Sequence, residues 1–594
     1  MKEISGKLKD VGESLPKSLK IDGNKFTSPP EIGKLFNDFF TTIGPNLAKQ
    51  IDKFRMHFSK YLQPGHTELK HWDLTFEEFE LAFKSLNRNK SAGIDDFHVN
   101  LLIDCYDELK HVLFRICRFS INDGIFPNLL KIAKVFPVFK GGDSEIIGNY
   151  RPISVLPVIS KILERIVYNR IYEFMKTNNL LFEKQFGFQK NTSTEHALME
   201  LVENITQSFS KGEFTIGVFI DLSKAFDTVN HEILLEKLKC YGITGKTHQW
   251  LKSYLTNRKQ SVQVDHGKYT EMQDITCGVP QGSILGPLLF LIYVNDLPNA
   301  SQIISPVMFA DDTNLFFSDR NAKEALNTMN KELVNIAEWF KANKLSLNAS
   351  KTKFTIFHSN KKKIVGTLPK LKIDNVEIQQ EKEIKFLGVI LDEHMTWKTH
   401  IDKVTQTLSK SIGILYNARG YLHKSELKQL YFAFVQSHLN YCNIVWGSTY
   451  KSNLKQLHRQ QKHAVRVINN KPRLEPSEPL FKNDGILNIY SLNICQVLCT
   501  MFKCKTGQAP NVFRQVYAVK FKSKYTLRSE NELHIPFSKT KQRDFSFSIR
   551  GPTLWNKIVS KHQVIENIER FSQFKATLRK ILLFKEANIM DVFF

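Results

Sequence analysis

The sequence predicts an α+β chain: a few short strands that end on acids, followed by a long, basic and mainly helical region. Three observations carry this. Val307-Met308-Phe309-Ala310-Asp311-Asp312-Thr313-Asn314-Leu315-Phe316-Phe317 sets two adjacent acids between two apolar runs of strand length, with no glycine or proline between them. It reads as a tight β-hairpin whose turn carries Asp311 and Asp312. Ile216-Gly217-Val218-Phe219-Ile220 is a second apolar run, and it ends on Asp221. From about residue 400 onward, apolar residues recur at helical spacing with Lys, Arg and His on the other faces.

The acids point to metal chemistry. Neighbouring carboxylates at a buried turn repel each other and are costly to desolvate. A divalent cation relieves both, and hard oxygen donors suit Mg²⁺. A solvated Asp-Asp turn would explain the hairpin alone equally well. Asp221 at the end of another strand tips the balance, because two-metal phosphoryl transfer clamps two ions roughly 4 Å apart with carboxylates from separate strands. Phe309-Ala310-Asp311-Asp312 and Asp221-Leu222-Ser223-Lys224-Ala225-Phe226 resemble the two catalytic motifs of reverse transcriptases, in the form found in non-LTR (LINE-type) retrotransposons. The helical segment from Ser28 is similar to those that precede the polymerase in elements of the jockey and chicken-repeat kind, and Arg550-Gly551-Pro552-Thr553-Leu554-Trp555-Asn556 resembles the tail of jockey-like elements. The resemblance implies a right-hand polymerase fold of fingers, palm with a small antiparallel sheet, and thumb, followed by a mainly helical basic C-terminal region. It also implies catalytic and metal-binding roles for Asp221, Asp311 and Asp312, with two Mg²⁺ ions.

Composition bounds the rest. The 594 residues allow several subdomains and a large core. Lys and Arg outnumber Asp and Glu by 83 to 59, a net charge of +24, which favours a polyanionic partner, nucleic acid ahead of an acidic membrane. The eight cysteines are scattered, as in a reducing compartment. Cys495, Cys499 and Cys504 cluster in an apolar helical segment and read as core thiols. The start of the chain lacks an apolar signal core, and the run Ile284 to Val294 is too short to span a bilayer. A soluble, intracellular protein is expected, nuclear or cytoplasmic. Lys361-Lys362-Lys363 is too short to serve as an import signal. The oligomeric state is left open.

In chain order, residues 1–25 are polar and lysine-rich and are expected to be flexible. Residues 26–119 read as a helical extension of the fingers. Ser28-Pro29 starts a helix with Phe36, Phe39, Phe40 and Ile43 at helical spacing, and Trp72 to Leu86 forms another. Asn89 to Asp95 suits a loop near phosphates or an ordinary solvated loop. Residues 120–391 form the expected reverse transcriptase domain. Val135 to Lys140 is a strand turned by Gly141-Gly142-Asp143, with Arg151 beyond the turn and a helix from about Ser160 to Met175. A lysine and an arginine across a hairpin are suited to gripping a triphosphate, and the resemblance gives Lys140 and Arg151 that role. The family's usual lysine pair is reduced here to Lys140. Gln185-Phe186-Gly187-Phe188 resembles the motif along which the template runs, its rings either stacking on bases or packing underneath.

A helix is expected after Asp221, with Ala225, Phe226, Val229, Ile233, Leu234 and Leu238 on its buried face. By periodicity Phe226 is core; the resemblance places it under the sugar, excluding a 2′-hydroxyl. The Leu222 carbonyl is a further candidate metal ligand. In Cys277-Gly278-Val279-Pro280-Gln281-Gly282, Gly282 permits close backbone approach to a ligand and Gln281 offers donor and acceptor. The loop resembles the one that holds template base and incoming nucleotide. Ala322 to Phe340 is helical and Phe354 to Phe357 a strand. Lys351 is either a proton donor or a solvated lysine. Phe386 to Asp392 resembles the primer-gripping hairpin. Residues 392–470 read as a helical thumb and 471–594 as an element-specific region.

The expected function is therefore an RNA-directed DNA polymerase, taking an RNA template, a DNA primer and dNTPs, with no membrane. The alternative is a catalytically inactive or domesticated polymerase-fold protein that only binds nucleic acid. The stretch before Gly124 is too short for the endonuclease that such elements usually carry upstream.

Overall fold

A computed structural model describes residues 15–51, 57–65, 67–265, 267–517, 532–559, 565 and 567–584. The chain forms two compact units. The first comprises residues 1–182, 221–302 and 333–348, the second residues 183–220, 303–332 and 349–594.

The first unit is built on a sheet of Tyr150–Val155, Ile132–Phe139, Arg258–Asp265 and Lys268–Tyr269, with Gln273–Ile275 also pairing Arg258–Asp265. Ile132–Phe139 runs antiparallel to Tyr150–Val155 and parallel to Arg258–Asp265. Ala133, Val135 and Val262 on its inner face pack against Ile32, Phe36 and Phe40 of the helix Pro29–Gln50. That helix starts with two prolines, whose fixed φ and missing N–H suit its first turn. Residues 1–14 of the segment expected to be flexible lie outside the described residues. The remainder is partly ordered: Leu19–Ile21 pairs with Asn24–Phe26, and burial of Leu19 anchors the ladder. The second predicted helix is shorter than its apolar pattern, Phe76–Lys84. It starts at Thr75 because Thr75 and Glu78 form a reciprocal capping box.

The second unit holds a five-stranded sheet in the order Gln379–Gln380, Lys353–Phe357, Phe214–Ile220, Asp312–Asp319, Ser305–Phe309. Phe214–Ile220 lies at the centre, antiparallel to both neighbours. A strand covered on both faces needs apolar residues on both, and six of its seven residues are buried. A large core continues from this sheet into the helices Thr194–Lys211, Lys398–Ala418, Lys451–Ile468, Ile489–Lys505 and Phe571–Phe584. Within the stretch read as helical from about residue 400, the helix Lys424–Tyr431 gives way at Phe432 to a π-turn, Phe432–Gln436. Cys495, Cys499 and Cys504 are buried on Ile489–Lys505 as core thiols, as expected. No single helix among the described residues is long and apolar enough to cross a membrane.

Candidate active site

The acidic hairpin forms, with a shift in its turn. Asp312 is already in the second strand, opposite Phe309, so the tight connection consists of Ala310 and Asp311. Ala310 adopts a left-handed conformation with φ 57°. The neighbouring segment supports this unusual backbone. Gln185 Oε1 accepts from the Ala310 N–H at 3.0 Å and from the Gly187 N–H at 2.9 Å. Phe186 N–H donates to the Met308 carbonyl at 2.8 Å, and Met308 N–H to the Lys184 carbonyl at 2.9 Å. A Cβ on Gly187 would lie 2.2 Å from the Ala310 nitrogen, so only glycine permits the approach. Of the two rings in this motif, Phe186 is buried, whereas Phe188 is 46% exposed.

Register sets the end of the central strand beside the start of the second hairpin strand. Ile220 pairs with Thr313, the residue after Asp312, and Asp221 is the next residue after Ile220. Asp221 opens the next segment of the first unit. There its carbonyl accepts from the Asn348 N–H at 2.9 Å, and Ser223 N–H donates to the Ser346 carbonyl at 3.0 Å. These two bonds flank the Leu222–Leu347 bridge and make it a non-hydrogen-bonded pair, so this ladder does not use the Leu222 carbonyl. The helix expected after Asp221 is delayed. Ala225–Asp227 is a single 3₁₀ turn, and the helix proper is His231–Cys240, set by Asn230, whose side chain accepts from the Ile233 N–H.

Phe226 is half-buried, not core as its periodicity suggests, because the helix that would bury it does not form there; it stacks on Phe290 with ring centroids 4.5 Å apart. Lys140 and Arg151 are both exposed. The ladder pairs Val138 with Arg151 and continues through Lys140 N–H to the Asn149 carbonyl at 2.9 Å. Lys140 and Arg151 therefore project from the same face of one hairpin.

The Pro280-Gln281-Gly282 loop is held from three sides within the first unit. Ser154 N–H donates to the Gln281 carbonyl at 2.7 Å. The Gln281 amide Nε2 donates to Asp227 Oδ1 at 2.8 Å. Glu164, buried on the helix Val158–Thr177, accepts from the N–H groups of Ile284 (2.7 Å) and Leu285 (3.1 Å) at the start of helix Leu285–Val294. Gly282 also serves the packing of the loop itself. Its φ is +125°, and an added Cβ would meet the Ser154 carbonyl at 2.4 Å, so the close approach it allows is to a neighbouring strand.

Asp227 and Glu164 were not singled out by motif spacing. Both are buried carboxyls that hold this loop. Burial pushes the Asp227 carboxyl up to about 6, against the downward pull of the Gln281 hydrogen bond and of Lys224. Its Oδ2 is buried without a hydrogen-bond partner. Burial likewise raises Glu164, opposed first by the Leu285 N–H. Lys224, at φ 50°, donates to the carbonyls of Tyr150 (2.8 Å) and Gly148 (3.1 Å), tying the turn after Asp221 to the strand that carries Arg151.

Asp311 and Asp312 are exposed in the second unit; these carboxylates, and separately the Asp221 carboxylate and the Leu222 carbonyl in the first unit, are hard oxygen donors of the kind that fits Mg²⁺. Among the described residues no three His, Cys, Asp or Glu side chains converge as a ready-made metal cage. A Mg²⁺ ion held by so few protein oxygens would need further oxygen donors from outside the chain.

Residues 138–391 match the family described as Reverse transcriptase (RNA-dependent DNA polymerase). This segment is a reverse transcriptase domain. It contains both acidic motifs and the Pro-Gln-Gly loop. The chain is 31% identical to the probable RNA-directed DNA polymerase from transposon BS of Drosophila melanogaster, over 67% of this chain and 44% of that protein. It is 28% identical to the RNA-directed DNA polymerase from mobile element jockey of Drosophila funebris, again over 67% and 44%. The corresponding X-element protein of Drosophila melanogaster is 29% identical over 58% and 38%. The reverse transcriptase domain thus belongs with the jockey-like, non-LTR kind. The chain spans less than half the length of these relatives.

Proposed function

We propose that the chain is an RNA-directed DNA polymerase of a jockey-like non-LTR retrotransposon, which extends a DNA primer 3′-hydroxyl with dNTPs on an RNA template. The single observation that carries this is the register of the central sheet: Ile220 faces Thr313, so the residues just beyond and just before that pair are Asp221 and Asp312, with Asp311 in the turn. Within the family such acids bind divalent cations, and two Mg²⁺ ions bound here would activate the 3′-hydroxyl and stabilise the leaving pyrophosphate. In this reading Asp221 and Asp311 hold the cations, the Leu222 carbonyl adds an oxygen, and Asp312 supports the charge balance.

The other residues orient the substrate. Lys140 and Arg151, on one face of their hairpin, grip the triphosphate as a point charge and a planar fork. Gln281 and Gly282 line the nucleotide on the loop held by Asp227, Ser154 and Glu164. Phe226, fixed against Phe290, bears on the sugar. The sheet around Phe214–Ile220 is assigned to the palm, the strands around Lys140 and Arg151 to the fingers, and the helices from Lys398 to Ile468 to the thumb. Lys451, Lys455, Arg459, Lys462 and Arg466 recur at helical spacing along Lys451–Ile468, a stripe suited to a phosphate backbone.

The test is primer extension on an RNA template with Mg²⁺ and dNTPs. The native chain should extend the primer, and Asp311→Ala and Asp221→Asn should each abolish extension while still binding primer–template. Binding without extension by the native chain would overturn the proposal.

A further inference from the structure

The second unit has a cleft of about 530 Å³ away from the acidic hairpin, formed by the helices Ile489–Lys505 and Phe571–Phe584 and by residues 432–441. Its size falls in the range of about 300–1,000 Å³ that encloses small organic ligands. Three cations line it: Lys503, Lys575 and Arg579. Their charges act on the cleft interior: after the Cys499 hydrogen bond, Arg579 and Lys575 favour the ionised form of Cys495, and Lys503 favours that of Glu195. Glu195, the one acid among the described residues of the lining, accepts from the Cys442 N–H, and burial disfavours its charge. The cleft therefore presents a positive field with little to neutralise it.

Two further features fit a nucleotide. Phe432 and Tyr441 line the cleft with 40% and 43% of their surface exposed, and a π-turn begins at Phe432. Tyr441 is held by a hydrogen bond from its hydroxyl to the Leu387 carbonyl at 2.7 Å, so its ring is a fixed platform. The Gln496 amide donates to the Asn440 carbonyl at 2.9 Å, which fixes its orientation and leaves Oε1 buried without a partner, an acceptor matched to a base N–H donor.

We propose that this cleft binds single-stranded nucleic acid, with a phosphate against Lys503, Lys575 and Arg579 and an unstacked base on Tyr441 or Phe432. Cationic grooves with aromatic platforms are the general solution for single strands. A duplex keeps its bases stacked inside and cannot offer one to a ring. The site is separate from the proposed chemistry and gives the helices after residue 471 a role in holding an unpaired stretch of template or product.

The test is fluorescence anisotropy with the full chain and a labelled oligouridylate of about 12 nucleotides, in the presence of saturating unlabelled blunt RNA–DNA duplex and, separately, without it. Lys503→Ala/Lys575→Ala should weaken single-strand binding about tenfold and lower the salt slope by about 1.4, the contribution of two phosphate contacts on a single strand. Lys580→Ala, a neighbouring exposed lysine outside the lining, should leave both unchanged. Gln496→Glu, which puts a carboxylate inside the cleft, should reproduce the loss with both lysines intact. Unchanged affinity in the double variant and in Gln496→Glu, or an equal loss in Lys580→Ala or for blunt duplex, would overturn the proposal. A 4-thiouridine oligonucleotide should crosslink to peptides containing Phe432 or Tyr441; crosslinks confined to other peptides would also overturn it. None of these readouts requires primer extension, so failure of the polymerase reading would be seen separately.

Discussion

The turn at Ala310-Asp311 and the Pro280-Gln281-Gly282 loop are both held in place by partners distant in sequence, but by opposite chemistry. The acidic turn rests on neutral groups: an amide oxygen of Gln185, backbone hydrogen bonds and the close approach of Gly187. The loop rests on buried carboxyls, Asp227 and Glu164. A site that gathers cations and phosphates gains from a scaffold whose charge does not vary beside its acids. A loop held by titratable anchors carries sensitivity to pH instead.

Gly187→Ala should break the first arrangement most completely. With a Cβ 2.2 Å from the Ala310 nitrogen, the backbone must move, at an overpacking cost of about 1–3 kcal/mol or more. Primer extension should fall by at least about 100-fold for a shift of this kind near the reacting atoms, and retained full activity would show that the buttress is dispensable. Glu164→Ala should be the strongest break of the second, leaving the N–H groups of Ile284 and Leu285 without their acceptor at about 1–3 kcal/mol for each unsatisfied buried donor. Chemical denaturation should show the loss directly. Gln185→Ala removes the acceptor of two N–H groups and should cost somewhat less, because the backbone bonds around Met308 remain; its activity loss should be independent of pH.

The finest distinction is Asp227→Asn. The folded carboxyl titrates near 6, above its ordinary 3.8. A raised acid stabilises the fold below its unfolded pKa, and that contribution is lost as pH rises through the folded value, here between about pH 4 and 6, amounting to at most about 3 kcal/mol. The substituted amide keeps an acceptor for Gln281 and carries no charge. Thermal unfolding should therefore show the variant gaining on the native chain from pH 4 to pH 6.5; parallel curves would mean that Asp227 is solvated and does not anchor the loop by burial.

What was legible in the sequence was what alternation and periodicity encode. The two strands flanking Asp311 and the strand ending before Asp221 each carry an apolar run of strand length, and the helices Val158–Thr177, Ala322–Ala342 and Lys451–Ile468 follow their apolar spacing closely. Local competition was harder to read. Apolar residues at 225, 226 and 229 suit a helix, yet the chain turns there and the helix waits for Asn230 to cap it. Contacts across long separations left no local signal. Gln185 reaches Ala310 across 125 residues, and nothing in Gln-Phe-Gly-Phe itself says that its glutamine props up a distant turn. The approach of Gly282 to the Ser154 carbonyl likewise left no local signal, because a glycine in a loop does not reveal which backbone comes close to it.

Glu164 has a consequence for anion traffic. The start of a helix ordinarily attracts phosphate, because its first N–H groups are unpaired and its dipole is positive there. At helix Leu285–Val294 that attraction is already spent internally: Ile284 and Leu285 donate to Glu164, and Gly286 donates to Ser283 Oγ at 2.9 Å. In the polymerase reading proposed above, an incoming triphosphate would find no landing place at that helix end, close in sequence to the Pro-Gln-Gly loop though it lies, and would be caught by side chains instead. Anion capture would then fall to long cations such as Lys140 and Arg151, whose grip is a matter of charge and not of a fixed backbone cradle.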